Sequence, residues 1–144
     1  MSAWMVVEDE PDIYELLLAM FEMWGIEGVA FVDGEEAVSW LSDVESGRVK
    51  TELPELALLD IRLPGALQGH HVGERLRQSK AMGDIAIVLT TAYHLTPEEE
   101  ARVKEIAGAD ELVYKPLPKF NDLKQLLEDV IASRRTAVTQ PSRT

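Results

Sequence analysis

Apolar positions along this chain fall into two patterns, short unbroken runs and longer stretches with helical period, and the two patterns alternate from one end to the other. Trp4 to Val7 reads as a first strand. Asp12 to Trp24 follows as a helix with Ile13, Leu16, Leu17, Met20 and Trp24 on one stripe, and Pro11 stands where a first helical turn accepts it. Gly28 to Val32 is a second strand, after which Asp33-Gly34-Glu35-Glu36 opens a helix that turns Ala37, Val38 and Leu41 inward and stops at Gly47. Leu56 to Leu59 forms strand three. A loop with Pro64, Gly65 and Gly69 leads into a helix over Val72 to Met82, and Ile85 to Leu89 forms strand four. Thr96-Pro97-Glu98-Glu99 is a strong helix start, because threonine caps, proline suits the first turn and glutamate complements the positive end of the dipole. Gly108 closes that helix, Leu112 to Tyr114 is a fifth strand, and a last helix covers Phe120 to Ser133.

Five strand-helix repeats imply a parallel sheet covered by helices on both faces. Strands three and four, Leu56-Ala57-Leu58-Leu59 and Ile85-Ala86-Ile87-Val88-Leu89, are apolar without alternation, as central strands buried on both sides should be. The expected fold is a flavodoxin-like (βα)5 doubly wound α/β sheet of five parallel strands in the order 2-1-3-4-5. With 144 residues and 46% apolar content, one domain is expected over residues 1–134, with no room for an effector domain. Residues 135–144 show no apolar period and are expected to be a disordered tail.

Charge narrows the partners. A formal net charge of -12 disfavours nucleic acid and anionic membranes, both of which need surplus Lys and Arg, so protein partners are expected. No apolar run approaches the roughly 20 residues that cross a bilayer, and the N-terminus lacks a basic stretch followed by a long apolar one. There is no cysteine, which excludes disulfides and thiolate metal sites and is compatible with a cytoplasmic location. His70-His71 resembles a metal pair, but neighbouring helical side chains point in different directions, so two solvated histidines are expected.

In open parallel sheets the functional crevice lies at the carboxyl ends of the strands. Strand one ends in Glu8-Asp9-Glu10, strand three in Asp60, strand four in Thr90-Thr91 and strand five in Lys115. Singly, each has an ordinary explanation: a helix-dipole complement, a turn former, a strand residue, a surface lysine. Four strand ends supplying acids, an acceptor, a hydroxyl and a cation to one crevice is a different matter. Glu8, Asp9 and Asp60 would repel one another unless a hard cation joined them, and Mg2+ suits such oxygen donors. Asp60 can then act as a nucleophile that accepts a phosphoryl group. Mg2+ on one side, the Lys115 ammonium on the other and the Thr91 hydroxyl would share the phosphoryl oxygens.

The stretches Val6-Val7-Glu8-Asp9-Glu10-Pro11, Leu58-Leu59-Asp60-Ile61-Arg62-Leu63-Pro64-Gly65, Leu89-Thr90-Thr91-Ala92 and Tyr114-Lys115-Pro116 resemble the response-regulator receiver family of two-component signalling, over about residues 3 to 133. The resemblance implies Mg2+ held by Glu8, Asp9, Asp60 and the backbone carbonyl of Arg62, with the second acid as direct ligand and the first acting through water. It implies a histidine kinase or histidine phosphotransfer protein as donor. It also implies a signalling state in which Thr91 is drawn to the phosphorylated acceptor and the surface of strands four and five, with Leu112 and Tyr114, rearranges, a change that can promote a homodimer. Arg62 and Tyr93 occupy the positions that flank the path of hydrolytic water and so are expected to tune the phosphoryl lifetime. The sequence departs from the family in three places: Glu8 stands where aspartate is more frequent, the loop Gly65 to Gly69 is one residue longer, and Leu112 holds the usual aromatic switch position.

Rival functions fit less well. A haloacid-dehalogenase-type phosphatase needs a second aspartate where Arg62 stands. An FMN protein needs a phosphate loop where Glu8-Asp9-Glu10 would repel phosphate. A receiver that only binds partners would not need the complete acid, acceptor, hydroxyl and lysine set. Direct target binding, a phosphorelay and membership of a longer regulator are all compatible with the chain, with a downstream protein target expected as partner.

Overall fold

In the computed structural model, which describes residues 2–139, strands and helices alternate strictly along the chain. β1 (Ala3–Val7), β2 (Glu27–Phe31), β3 (Leu56–Asp60), β4 (Ala86–Thr91) and β5 (Glu111–Tyr114) form one parallel sheet in the order β2-β1-β3-β4-β5, the expected doubly wound arrangement. Successive side chains of a strand point to opposite faces. Met5, Val7, Ala57, Leu59, Ile87 and Leu89 therefore pack beneath α2 (Gly34–Glu45), α3 (Gly69–Arg77) and α4 (Pro97–Ala107). Trp4, Val6, Leu56, Leu58, Ala86 and Val88 pack beneath α1 (Pro11–Met23) and α5 (Phe120–Thr139). Both faces being covered explains why β1, β3 and β4 read as unbroken apolar runs.

Local signals place most helix ends. Asp33 caps α2 by accepting the Glu36 N–H at 2.8 Å. Thr96 and Glu99 cap α4 reciprocally, at 3.1 and 2.9 Å, and Gly108 ends it in the left-handed conformation at φ 62. On α1 the buried stripe is centred on Leu17 and Phe21, whereas Leu16, expected inward, is 54% exposed.

Two helices depart from expectation for reasons that lie far away in sequence. α3 starts and stops earlier than Val72 to Met82. Its first residue, Gly69, donates to the Ile61 carbonyl at 2.9 Å, so the helix springs directly from the loop after β3. At its other end the Arg77 guanidinium donates to the carbonyls of Gly83, Ile85 and Gly108, which folds residues 79–84 back as a turn with Met82 buried in it. The first turn of α3 also corrects the expectation for the histidines. The His70 and His71 rings lie 4.3 Å apart and are half-buried, and His71 Nδ1 accepts the Gln68 N–H at 3.1 Å. α5 continues to Thr139, past Ser133 and past the expected domain boundary at 134. Ion pairs fasten the continuation: Arg134 with Asp110 at 3.6 Å, and Arg135 with Glu55. A polar helix held by charge has no apolar period to announce it. The remainder of the expected tail, 140–144, lies outside the described residues.

Candidate functional site

Parallel pairing brings the carboxyl ends of the strands together. Val7 pairs with Leu59, so Glu8 and Asp60, each one step further, emerge side by side; Asp60 pairs with Thr90, and Thr91 with Tyr114. Lys115 follows across a backbone bond from its N–H to the Thr91 carbonyl at 2.8 Å, and the Lys115-Pro116 peptide is cis. Its Nζ lies 2.7 Å from Glu8 Oε1, 3.4 Å from Asp60 Oδ2 and 3.9 Å from Glu10 Oε2. Glu8 and Asp60 are only 2% and 6% exposed, while Asp9 and Glu10 face solvent.

One ammonium for this many carboxylates leaves a negative excess. Burial, reinforced by the nearby Glu8 charge, pushes the Asp60 carboxyl up to about 7 despite the opposing pull of Lys115. Burial depresses Lys115, but its hydrogen bond to Glu8 and the charges of Asp60 and Glu8 outweigh that and hold it above the usual lysine range. Carboxylate oxygens of Glu8, Asp9 and Asp60 all lie within 4.8 Å of one another. Clustered hard oxygen donors with unneutralised charge fit a divalent cation such as Mg2+. The extra methylene of Glu8 has a visible consequence, since this side chain reaches Lys115 itself.

A pocket of about 220 Å³ opens over Asp60 and is lined also by Asp9, Glu10, Arg62, Ala92, Tyr93 and Lys115. The Arg62 guanidinium lies 3.8 Å from the centroid of the Tyr93 ring, so the two residues expected to flank the acceptor form one cation-π stack at its rim. Thr91 is buried, and its hydroxyl accepts the Tyr93 N–H at 3.1 Å. Leu112 and Tyr114 do not line the pocket. Leu112 packs in the core with Val103 and Ala107. Tyr114 donates its hydroxyl to Glu100 Oε2 at 2.9 Å and stacks on His94, with centroids 6.1 Å apart. Gln68 escaped sequence reasoning: its amide accepts the Leu63 N–H at 3.2 Å and donates to the Leu63 carbonyl at 3.1 Å, closing the loop after Asp60 on itself. An amide residue directly before the glycine that opens α3 is the only trace of this in the sequence.

The model of the response regulator receiver domain family matches residues 4–128, a span that contains every residue of this pocket. The chain belongs to that family. The receiver is 30% identical over 88% of its length to a probable methanogenesis regulatory protein, FilR2, of Methanothrix harundinacea, and covers 79% of that protein. It is 31% identical over 96% of its length to PhoP of Bacillus subtilis, the alkaline phosphatase synthesis transcriptional regulatory protein, and spans about half (51%) of that longer chain. Among solved structures it resembles the response regulator TrrA of Thermotoga maritima in complex with Mg2+ and BeF, at 31% identity and a TM-score of 0.69, covering 90% of the receiver and 99% of that chain. Receiver domains are signalling switches and not classical enzymes, bind Mg2+ at an acidic pocket and interact with histidine kinases. No helix among the described residues is long and apolar enough to cross a membrane.

Proposed function

We propose that this receiver is a cytoplasmic phospho-accepting switch in which Asp60 takes a phosphoryl group from a histidine kinase or histidine phosphotransfer protein in a Mg2+-dependent reaction. The observation that carries this reading is the convergence of Asp9, Asp60 and Lys115 on one pocket, with the buried Glu8 carboxylate beside them. Glu8, Asp9, Asp60 and the carbonyl of Arg62 are the groups that would hold Mg2+, which when bound supplies positive charge to the phosphoryl oxygens. Asp60 attacks as the carboxylate: one of its oxygens forms the new bond to phosphorus while the phosphorus-nitrogen bond of the donor phosphohistidine breaks. A cation beside it favours the ionised form that attack requires. Lys115, released from Glu8, neutralises a second phosphoryl oxygen, and Thr91 can keep the Tyr93 N–H as a donor to its oxygen while giving its own proton to the third. The chain thus promotes only its own phosphorylation and slow dephosphorylation. Beryllofluoride, a phosphoryl mimic, gives the test: with Mg2+ it should shift the amide resonances of Thr91 and Lys115 in the wild type and not in Asp60→Asn. Equal shifts in that variant would overturn the assignment.

Glu8 and Asp9 should contribute unequally. Glu8 is committed to Lys115, whereas Asp9 lines the pocket with no such partner at 2.7 Å. Asp9→Ala is therefore expected to weaken Mg2+ binding by more than about tenfold and Glu8→Ala by less. Calorimetric titration checks this, and equal losses would contradict the division.

The Arg62 and Tyr93 stack sets the lifetime of the phosphorylated form. Neither side chain serves as a general base for water, because arginine stays protonated and tyrosine has a reference pKa near 10. Both are bulky and occupy the rim. Arg62→Asn with Tyr93→Glu should speed phosphoryl loss by roughly tenfold or more, since it opens the rim and adds a carboxylate that can orient water. Decay on a phosphate-affinity gel at fixed Mg2+ measures it, and an unchanged lifetime would show that these positions do not set the clock. Output passes through the face around Leu112 and Tyr114 to a downstream protein or to a second copy of the chain. The Tyr114 bond to Glu100, which ties β5 to α4, is the contact that this rearrangement would have to alter.

A further inference from the structure

The loop between Asp60 and α3 is fastened at its base to β4 and to the start of α3, and in its middle by its own Gln68. Ile61 donates to the Thr90 carbonyl at 2.8 Å and accepts from Gly69 at 2.9 Å, and Gln68 clasps both backbone groups of Leu63. The tip of the loop is held from outside. Glu35, in the first turn of α2, accepts the Ala66 N–H at 3.0 Å. Gly65 turns the chain beneath that carboxylate at φ +86, and a β-carbon there would collide with the Glu35 oxygen. Gly34 meets the next loop residue so closely that a β-carbon on it would lie 2.8 Å from Leu67 Cβ. Three successive loop residues thus rest on two successive residues of α2.

By position alone Glu35 is an exposed acid in a first helical turn, where the dipole accounts for it. Its bond to an amide 31 positions away does not follow from that role. We propose that Glu35 is a positioning residue for the acceptor site: by holding the tip of the loop, it orients the backbone at Arg62, whose carbonyl faces the metal in the proposed function on which this inference rests. The bond matters here because the loop is longer than is usual in the family, so its tip needs an external anchor.

The test compares the full chain with Glu35→Ala, which removes the acceptor oxygen, and Glu35→Gln, which keeps one. In the metal-free proteins, amide exchange at Ala66 should quicken in Glu35→Ala and stay near wild type in Glu35→Gln. Calorimetric Mg2+ affinity should fall by about tenfold in Glu35→Ala and by no more than about twofold in Glu35→Gln, with thermal midpoints nearly unchanged. Wild-type Mg2+ affinity in Glu35→Ala would overturn this inference alone. Equal weakening in both variants would also overturn it, because it would mark an effect of charge and not of position. An absence of Mg2+ binding in the wild-type chain would overturn the proposed function together with it.

Discussion

Replacing Asp60 by asparagine should stabilise the metal-free protein by about 2 kcal/mol at pH 8, even though it removes the proposed phosphoryl acceptor. The reason is the cost of keeping that carboxylate ionised among its neighbours. Burial and the Glu8 charge raise the group from 3.8 to about 7, a rise equivalent to at most about 4 kcal/mol, which solvent reaching the site through the open pocket would reduce. The direction with pH follows. Between about pH 4 and 7 the folded protein holds a proton that the unfolded chain has released, so stability falls as pH rises through this window and the loss is complete above it. The advantage of Asp60→Asn should therefore be greatest above pH 7, shrink on acidification and vanish near pH 4. Adding Mg2+ should close part of the gap at pH 8 by stabilising the wild type. Urea unfolding in EDTA across this range measures it; a variant no more stable at pH 8, or a gap independent of pH, would refute the electrostatic account.

Gly69→Ala should do the reverse, destabilising the protein by about 3 kcal/mol or more and impairing phosphorylation. A β-carbon at this position would overlap the Asp60 carbonyl oxygen and lie 2.7 Å from its carbon and 3.0 Å from Ile61 Cα. These are backbone atoms and cannot rotate away. Either α3 retreats and its first N–H loses the Ile61 carbonyl, or the end of β3 moves and takes Asp60 with it. Gly25→Ala provides a contrast: its φ of +73 is strained, but nothing lies within 4 Å, so a loss of only about 1 to 2 kcal/mol and normal phosphorylation are expected. Urea midpoints and initial phosphorylation rates separate the two, and comparable behaviour would show that the approach of α3 to Asp60 is not what Gly69 serves.

What could be read from the sequence was what local chemistry determines. Strands β3 and β4 announce double burial by unbroken apolar runs, and Thr96, Glu99 and Gly108 mark the ends of α4 with groups that bond to their own helix. The limits of α3 and α5 were not legible, because Ile61, Gly108, Asp110 and Glu55 set them from elsewhere in the chain. The same distinction holds at the site. Parallel topology gathers strand ends, so Glu8, Asp9, Asp60 and Lys115 could be named as one constellation before any geometry was known. The pairing of Lys115 with Glu8 at 2.7 Å, and the stacking of Arg62 on Tyr93, depend on side-chain reach across separate elements. Glu35 was hidden behind an adequate local role.

Phosphorylation of the intact chain tests the central claim most directly. Incubated with Mg2+ and phosphoramidate, a small donor that needs no kinase, the wild-type protein should gain one phosphate by intact mass spectrometry. The gain should disappear in EDTA and in Asp60→Asn, although that variant is expected to be the more stable protein. One phosphate on Asp60→Asn at the wild-type rate, or wild-type modification that persists undiminished in EDTA, would contradict the account.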